Sequence, residues 1–137
     1  YVLATSTNPR VQIAWHLTWA YPATSTHSAF KYYGRSQQRM YSNILLTAAE
    51  VLPRVGITRV IPVGVTIQLA RQEMGDVMNR DGFHLQLAYG RYAAACTWCE
   101  FLTGHSIMGN PYRPAGVDAA TARLMQRMAH RALRVKI

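Results

Sequence analysis

The stretch Thr58-Arg59-Val60-Ile61-Pro62-Val63-Gly64 is rich in β-branched residues and ends in turn residues, so it predicts a β-strand. A short run of apolar and aromatic residues, Arg10-Val11-Gln12-Ile13-Ala14-Trp15-His16, predicts another strand earlier in the chain. Between them, apolar residues at every fourth position predict a helix from a Ser36 cap to about Leu52. Strands that alternate with helices of this length indicate right-handed βαβ crossovers and a parallel sheet.

Three further helices are predicted after the second strand, at about Thr66–Met74, Leu85–Leu102 and Asp118–Val135. A parallel sheet of only two strands leaves both edges open and is rarely stable alone. We therefore expect an α/β fold in which residues 1–137 form a single partial domain. The first residue is Tyr1 rather than Met, so we expect either a removed leader or a chain that starts partway through a longer one.

Composition limits the class of protein. The 137 residues are 50% apolar and 15% charged, which is enough to bury a core and excludes disordered and fibrous chains. No run approaches the roughly 18 apolar residues of a membrane span. The net charge is +9, and every basic residue except Lys31 and Lys136 is arginine. Either an arginine-rich composition or an acidic or phosphate-bearing partner would explain this excess.

The last predicted helix carries a basic stripe, formed by Arg123, Arg127, Arg131 and Arg134, opposite an apolar face. This pattern is typical of the solvated face of an amphipathic helix. The alternative is a non-catalytic binding or scaffold module that holds an anionic polymer through this helix. Aromatic residues do not interleave with the arginines, which disfavours nucleic acid as the partner.

No metal or cofactor site is predicted. Cys96 and Cys99 form a CxxC in the middle of a predicted helix, without the second pair of a zinc site or the helix N-terminus of a redox site. We expect them to be buried structural thiols. His27, His105 and His130 lack metal-ligand spacing, and no glycine-rich phosphate loop is present.

The segment Asp81-Gly82-Phe83-His84 is the clearest catalytic candidate. A carboxylate three residues before a histidine can accept the Nδ1 proton and leave Nε2 free as a general base. The alternative is that Asp81 caps a helix and His84 is a half-buried ring.

Other candidates follow the two strands, at the sheet edge where open α/β sheets bind ligands. They are Trp15, His16, Trp19 and Tyr21, which cluster at the end of the first strand, and Gln68 and Arg71, which follow the second. The aromatic residues would stack on a sugar ring or line an acyl pocket, unless they only pack in the core. Gln68 and Arg71 would either clamp substrate or brace the fold.

Asp81-Gly82-Phe83-His84-Leu85, followed by Gly90-Arg91-Tyr92, resembles the last conserved block of the SGNH/GDSL hydrolases. In that block a DxxH turn supplies the Asp and His of a Ser-His-Asp triad. Three further segments match one bacterial branch of the superfamily in the same order, so that the resemblance covers most of the chain. They are Trp15–Tyr21, Ile61–Gly64 leading to Gln68 and Arg71, and Trp98–Gly104.

The resemblance implies a flavodoxin-like three-layer α/β/α sandwich with about five parallel strands, of which this chain holds the last two. It implies a missing N-terminal half with the Gly-Asp-Ser nucleophile block and the Gly and Asn blocks of the oxyanion hole. None of these blocks occurs here.

The function implied is an SGNH-type acyl or acetyl esterase, acting on a small-molecule or glycan ester. His84 would be its general base and Asp81 would orient the histidine, while the nucleophilic serine would come from outside this chain. The mechanism requires no cofactor. The expected partner is the complementary N-terminal half, or a second copy joined through the sheet edge. A periplasmic or secreted location follows from the resemblance alone.

Overall fold

The computed structural model describes residues 2–137 and has a mixed α/β fold. In chain order the elements are α1 (Val2–Thr5), β1 (Ala14–His16), a 3₁₀ helix (Ser28–Tyr33), α2 (Gln37–Arg54), β2 (Arg59–Ile61), α3 (Val63–Met74), α4 (Tyr89–Thr103) and α5 (Ala119–Ala132). The two strands pair in parallel. The expected α/β class with a parallel sheet is therefore confirmed.

Both strands are shorter than the sequence predicts. The run predicted from Arg10 is strand only from Ala14, because Asn8 closes a turn by accepting hydrogen bonds from the amides of Arg10 and Val11. Strand β2 ends before Pro62, which has no amide hydrogen to donate to a ladder. Helix α3 then begins at Val63, three residues before the predicted start.

Helices pack on both faces of the sheet. Ile61 of β2 belongs to a core with α3, α4 and α5, in which Ile67, Ala93 and Met125 are fully buried. Val60, which points to the opposite face, packs in a second core with Ala48 and Leu52 of α2. The helices thus cover apolar side chains on both sides of a sheet that has two strands in the described part of the chain.

The predicted starts of α2 and α5 are confirmed by their capping hydrogen bonds. Ser36 Oγ accepts the amide of Arg39, and Asp118 Oδ1 accepts the amides of Ala120 and Thr121. Their predicted ends differ, since α2 continues through Pro53 to Arg54 and α5 ends at Ala132 rather than Val135.

The helix predicted from Leu85 begins only at Tyr89. Leu85 instead forms an antiparallel bridge with Asn79, and the Arg80 amide donates to the carbonyl of His84 at 3.0 Å. Gly82, at the tip, has a φ of +84°, which favours glycine. Residues 79–85 therefore fold back as a tight reverse turn, here called the catalytic-candidate turn.

The two cysteines differ in burial. Both lie in α4, as expected, and Cys96 is buried, which raises the pKa of its thiol to about 11. Cys99 is exposed, so the expectation that it is buried was wrong. It lies three residues further along the helix, where its side chain is exposed.

A glycine in the first turn of α3 gives a stability test. A Cβ on Gly64 would lie 1.9 Å from the carbonyl oxygen of Thr18, in the loop after β1. We expect Gly64→Ala to lower the free energy of unfolding by about 3 kcal/mol, because the backbone must shift to admit the methyl group. Urea denaturation measures this value.

The matched control is Gly56→Ala, at a position with a φ of +71° and no atom within 4 Å of the added Cβ. We expect this change to cost about 1 kcal/mol, the price of the left-handed backbone alone. Equal losses in the two variants would contradict the close approach of α3 to the loop after β1.

Candidate active site

The side chains of Asp81 and His84 form a hydrogen-bonded pair. Nδ1 of His84 lies 2.9 Å from Oδ2 of Asp81, and Oδ1 of Asp81 accepts the backbone amide of His84, also at 2.9 Å. Just over half of the His84 side chain, 51%, is exposed. With its Nδ1 proton donated to Asp81, the neutral imidazole keeps a free lone pair on Nε2. This is the geometry that a general base requires.

The contact with His84 also favours the ionised form of Asp81. The hydrogen bond from the His84 side chain, followed by the one from its amide, lowers the pKa of Asp81 from 3.8 to about 2. The carboxylate is therefore charged at neutral pH and can accept the Nδ1 proton. Because α4 begins at Tyr89, Asp81 does not cap that helix, and the alternative interpretation of this residue was wrong.

Two side chains hold the backbone next to His84. The carbonyl oxygen of Phe83 accepts a hydrogen bond from Nε1 of Trp19 at 2.7 Å and another from Nδ2 of Asn79 at 3.0 Å. The sequence pointed to Trp19 only as a candidate for stacking on substrate. Asn79 was missed as a candidate, because its spacing before the histidine matches no catalytic pattern.

Arg71 lies beneath the same turn. Only 4% of its side chain is exposed, and Nη2 donates to the carbonyl of Ala20 at 2.8 Å and also to Oδ1 of Asn79. Its Nε forms an ion pair with Asp76 at 3.1 Å, and Nη1 donates to Gln68 at 3.2 Å. Burial lowers the pKa of Arg71, and Asp76 opposes this shift. These contacts favour bracing over substrate clamping for Arg71, with Gln68 as one of its partners.

Three of the four predicted aromatic candidates come together near the turn. The ring of Tyr21 lies 6.2 Å from that of Phe83, and the ring of His16 lies 6.1 Å from that of Trp19. Trp98, a residue not among the candidates, donates from Nε1 to Nδ1 of His16 at 3.1 Å. Burial lowers the pKa of His16, which favours its neutral form as this acceptor. We call His16, Trp19 and Tyr21 the aromatic wall; it lies at and just after the carboxyl end of β1.

Trp15 lies elsewhere. It precedes His16 in β1, so its side chain points to the opposite face of the sheet. There it lines an apolar groove of about 510 Å³ next to α2, together with Leu17, Ile44, Val51 and Val55. The structure therefore does not bring Trp15 to the catalytic-candidate turn.

His27 also reaches this region and was missed as a candidate. Its Nδ1 accepts the amide of Ala29 at 3.1 Å and so caps the 3₁₀ helix, which leaves the proton of the neutral ring on Nε2. Its ring lies 5.1 Å from Phe83, whose own ring is 3.9 Å from that of His84. An isolated histidine in a loop carries no spacing signal that would have revealed this contact.

Within residues 2–137, no serine side chain is hydrogen-bonded to His84. Ser25 packs against Gly82 of the turn, but it is buried and its Oγ accepts the amide of His27 at 3.2 Å. The described part of the chain also contains no cluster of His, Cys, Asp and Glu that could hold a metal ion. None of its helices is long and apolar enough to cross a membrane.

A second group of residues resembles a triad in composition but not in geometry. Ser106 Oγ lies 3.2 Å and Glu100 Oε1 lies 2.9 Å from the same atom, Nδ1 of His130. A proton relay would need the serine on Nε2. Burial opposes ionisation of Glu100, but hydrogen bonds from the Ile107 amide, Arg134 and His130 together lower its pKa. The group joins α4 to α5. Arg134 is paired with Glu100 in this group, so it is not part of a purely solvated basic stripe as the sequence predicts.

The Asp81–His84 hydrogen bond predicts a measurable titration. We expect the Asp81 carboxyl to titrate near pH 2 in the wild type and at a higher pH in His84→Ala, still below 3.8 because the backbone amides continue to donate. Since the folded pKa lies below the unfolded one, the ionised carboxylate stabilises the fold above about pH 4, and this contribution is lost as the pH falls towards 2. Carbon-13 NMR of the carboxyl groups measures the titration.

Asp118 is the internal control, because its pKa is lowered by hydrogen bonds from Thr121 that do not involve His84. Its titration should be the same in both proteins. An unchanged Asp81 titration in His84→Ala would show that the two side chains do not interact in solution.

Comparison with known proteins places the chain in a family. The family model described as "Domain of unknown function (DUF4886)" matches residues 1–132. The crystal structure of a DUF4886 family protein from Bacteroides uniformis is similar, with 42% sequence identity and a TM-score of 0.90 over 93% of this chain. The match covers 49% of that protein, so the chain spans about half its length. Comparison with curated proteins gives no match. The chain belongs to the DUF4886 family.

Proposed function

We propose that this chain supplies the histidine and the aspartate of an SGNH-type Ser-His-Asp ester hydrolase. The observation that carries the proposal is the 2.9 Å contact between Asp81 Oδ2 and His84 Nδ1 on a turn where the imidazole is half exposed. Trp19, Tyr21 and Arg71, which lie in other segments that resemble these hydrolases, contact the same turn or its supports.

The chemistry follows the ordinary sequence of acyl transfer. Nε2 of His84 takes the proton of a serine hydroxyl while the serine oxygen forms a bond to the ester carbonyl carbon. The imidazolium, stabilised by Asp81, then gives that proton to the departing alkoxide as the carbon–oxygen bond breaks. Water repeats both steps on the acyl-enzyme and releases the acid. This reaction needs no metal ion or organic cofactor.

The serine must come from outside the described residues, and the sheet offers a place for its carrier. Within residues 2–137, strand β1 pairs only with β2, so its other edge is open there, and the apolar groove lined by Trp15 lies beside it. We propose that residues 1–137 are a partial α/β domain completed by a segment that adds strands to this edge of the sheet. A second copy of the chain is the other occupant that would fit an open edge.

The substrate side of the proposal rests on the aromatic wall. His16, Trp19 and Tyr21 lie near the turn and would contact an acyl group or a sugar ring. We therefore propose a small-molecule or glycan ester as the substrate. Trp15 faces the groove, and Gln68 and Arg71 contact each other, so we assign these three residues to the scaffold.

A chimera tests the catalytic proposal. The part of the Bacteroides uniformis protein that this chain does not match, joined to this chain, would provide the segment that the proposal requires. We expect esterase turnover of p-nitrophenyl acetate by the chimera, a loss of about 10⁴-fold or more in kcat for His84→Ala, and a loss of about 10⁴-fold for Asp81→Asn.

The control variant is His105→Ala, which removes an exposed histidine from the loop after α4 and should leave kcat unchanged. If the chimera hydrolyses esters equally well with and without His84, the assignment of the general base is wrong.

A second candidate function rests on the basic stripe of α5. Arg123, Arg127 and Arg131 are exposed and form no ion pair within residues 2–137. This face would hold an anionic polymer. Binding of polyphosphate should then weaken steeply with added salt, and changing the three arginines to glutamine should remove it.

A variant with the same loss of charge elsewhere is the control, with glutamine at the exposed positions Arg10, Arg35 and Arg39. If both triple variants lose binding equally, the attraction depends on net charge and not on a surface of α5.

A further inference from the structure

We infer that Trp19 and Asn79 are positioning residues for His84. They orient its side chain by fixing the peptide unit between Phe83 and His84. The inference rests on the proposed role of His84 as general base. It adds the means by which this fold holds a half-exposed imidazole in one orientation.

The peptide unit is held from both of its polar ends. On one side, the Phe83 carbonyl oxygen accepts from Trp19 Nε1 at 2.7 Å and from Asn79 Nδ2 at 3.0 Å. On the other side, the His84 amide donates to Asp81 Oδ1 at 2.9 Å. A peptide plane tied at both ends cannot rotate without breaking hydrogen bonds, so the Cα–Cβ direction of His84 is fixed.

Arg71 decides which way the Asn79 amide faces. Nη2 of Arg71 donates to Oδ1 of Asn79, so that the NH₂ group of Asn79 is the atom group left to meet the Phe83 carbonyl. Arg71 is itself immobilised, because its side chain is buried and paired with Asp76. The donor that reaches Phe83 is thus oriented by a buried charge on α3.

Trp19 brings the second donor from a different part of the fold. It lies in the loop after β1, 64 residues away from Phe83 in sequence, and it packs partly buried against the main core. Its hydrogen bond therefore joins the turn to the carboxyl end of the sheet, where the aromatic wall lies. The orientation of His84 depends on tertiary contacts and not on the local sequence of the turn.

The test uses nitrogen-15 NMR of the 137-residue chain at a pH where its histidines are neutral. Trp19→Phe removes the indole donor. Asn79→Asp keeps the shape of the side chain but replaces its NH₂ donor with a carboxylate oxygen. In both variants we expect the share of the Nδ1–H tautomer of His84 to fall, and its backbone amide to exchange with solvent about tenfold faster. Urea denaturation measures the accompanying loss of stability.

Trp98→Phe is the matched control, because it removes an indole donor that serves His16 and not the turn. It should leave the tautomer and the amide exchange of His84 unchanged, even if its stability falls as much as that of Trp19→Phe. The positioning role is overturned if both variants keep the wild-type tautomer share, or if Trp98→Phe changes it equally. If the chimera keeps its esterase turnover after His84→Ala, the proposed function is overturned instead.

Discussion

The buried guanidinium of Arg71 is the group on which the arrangement of the candidate site depends. It extends from α3 to the loop after β1, through the carbonyl of Ala20, and to the catalytic-candidate turn, through Asn79. Asp76 neutralises its charge and also accepts the amide of Ala23 and the side chain of Gln37. A buried charge of this kind is tolerated only when it is paired and hydrogen-bonded, so the segments that pair with it are held in fixed positions.

The sheet is small, and its main effect is to set the direction in which the chain leaves each strand. Strands of three residues each cannot support a core, and the stability comes from helices that pack on both faces. The strands direct the chain: after β1 comes the loop with Trp19 and Tyr21, and after β2 comes α3 with Arg71. Both connections leave from the carboxyl ends of parallel strands, which is why these residues meet on one side of the molecule.

The two faces of the sheet differ in how complete they are. The face that carries Ile61 is closed by three helices, whereas the face that carries Val60 and Trp15 has an open groove beside α2. Helix α2 is not fully covered within the described residues. Its side chains Leu46 and Val51, and that of Val55 at its C-terminal end, are exposed. Added strands at the open edge would cover apolar surface here, which joins the proposed completion of the domain to its proposed nucleophile.

Local sequence was sufficient for some features of the site. The DxxH spacing predicts the Asp81–His84 pair because four residues of one tight turn suffice to form it. Sequence was insufficient for Asn79, His27 and Trp98, whose contacts with the site join segments far apart in the chain or lack any recognised spacing. It was also misleading for Trp15, which is adjacent to His16 in sequence but lies on the other face of the sheet, because strand residues alternate in direction.

By itself, the sequence determined the α/β class, the parallel order of the two strands, the capped starts of α2 and α5, and the hydrogen-bonded Asp81–His84 pair of the turn. Each of these follows from periodicity, a cap or a short spacing, and such signals act over a few residues. Only the tertiary structure decided where α3 and α4 begin, that Arg71 is buried beneath the turn, and which aromatic residues lie near the turn. These depend on the close approach of α3 to the loop at Thr18 and on hydrogen bonds across tens of residues, which no local pattern encodes.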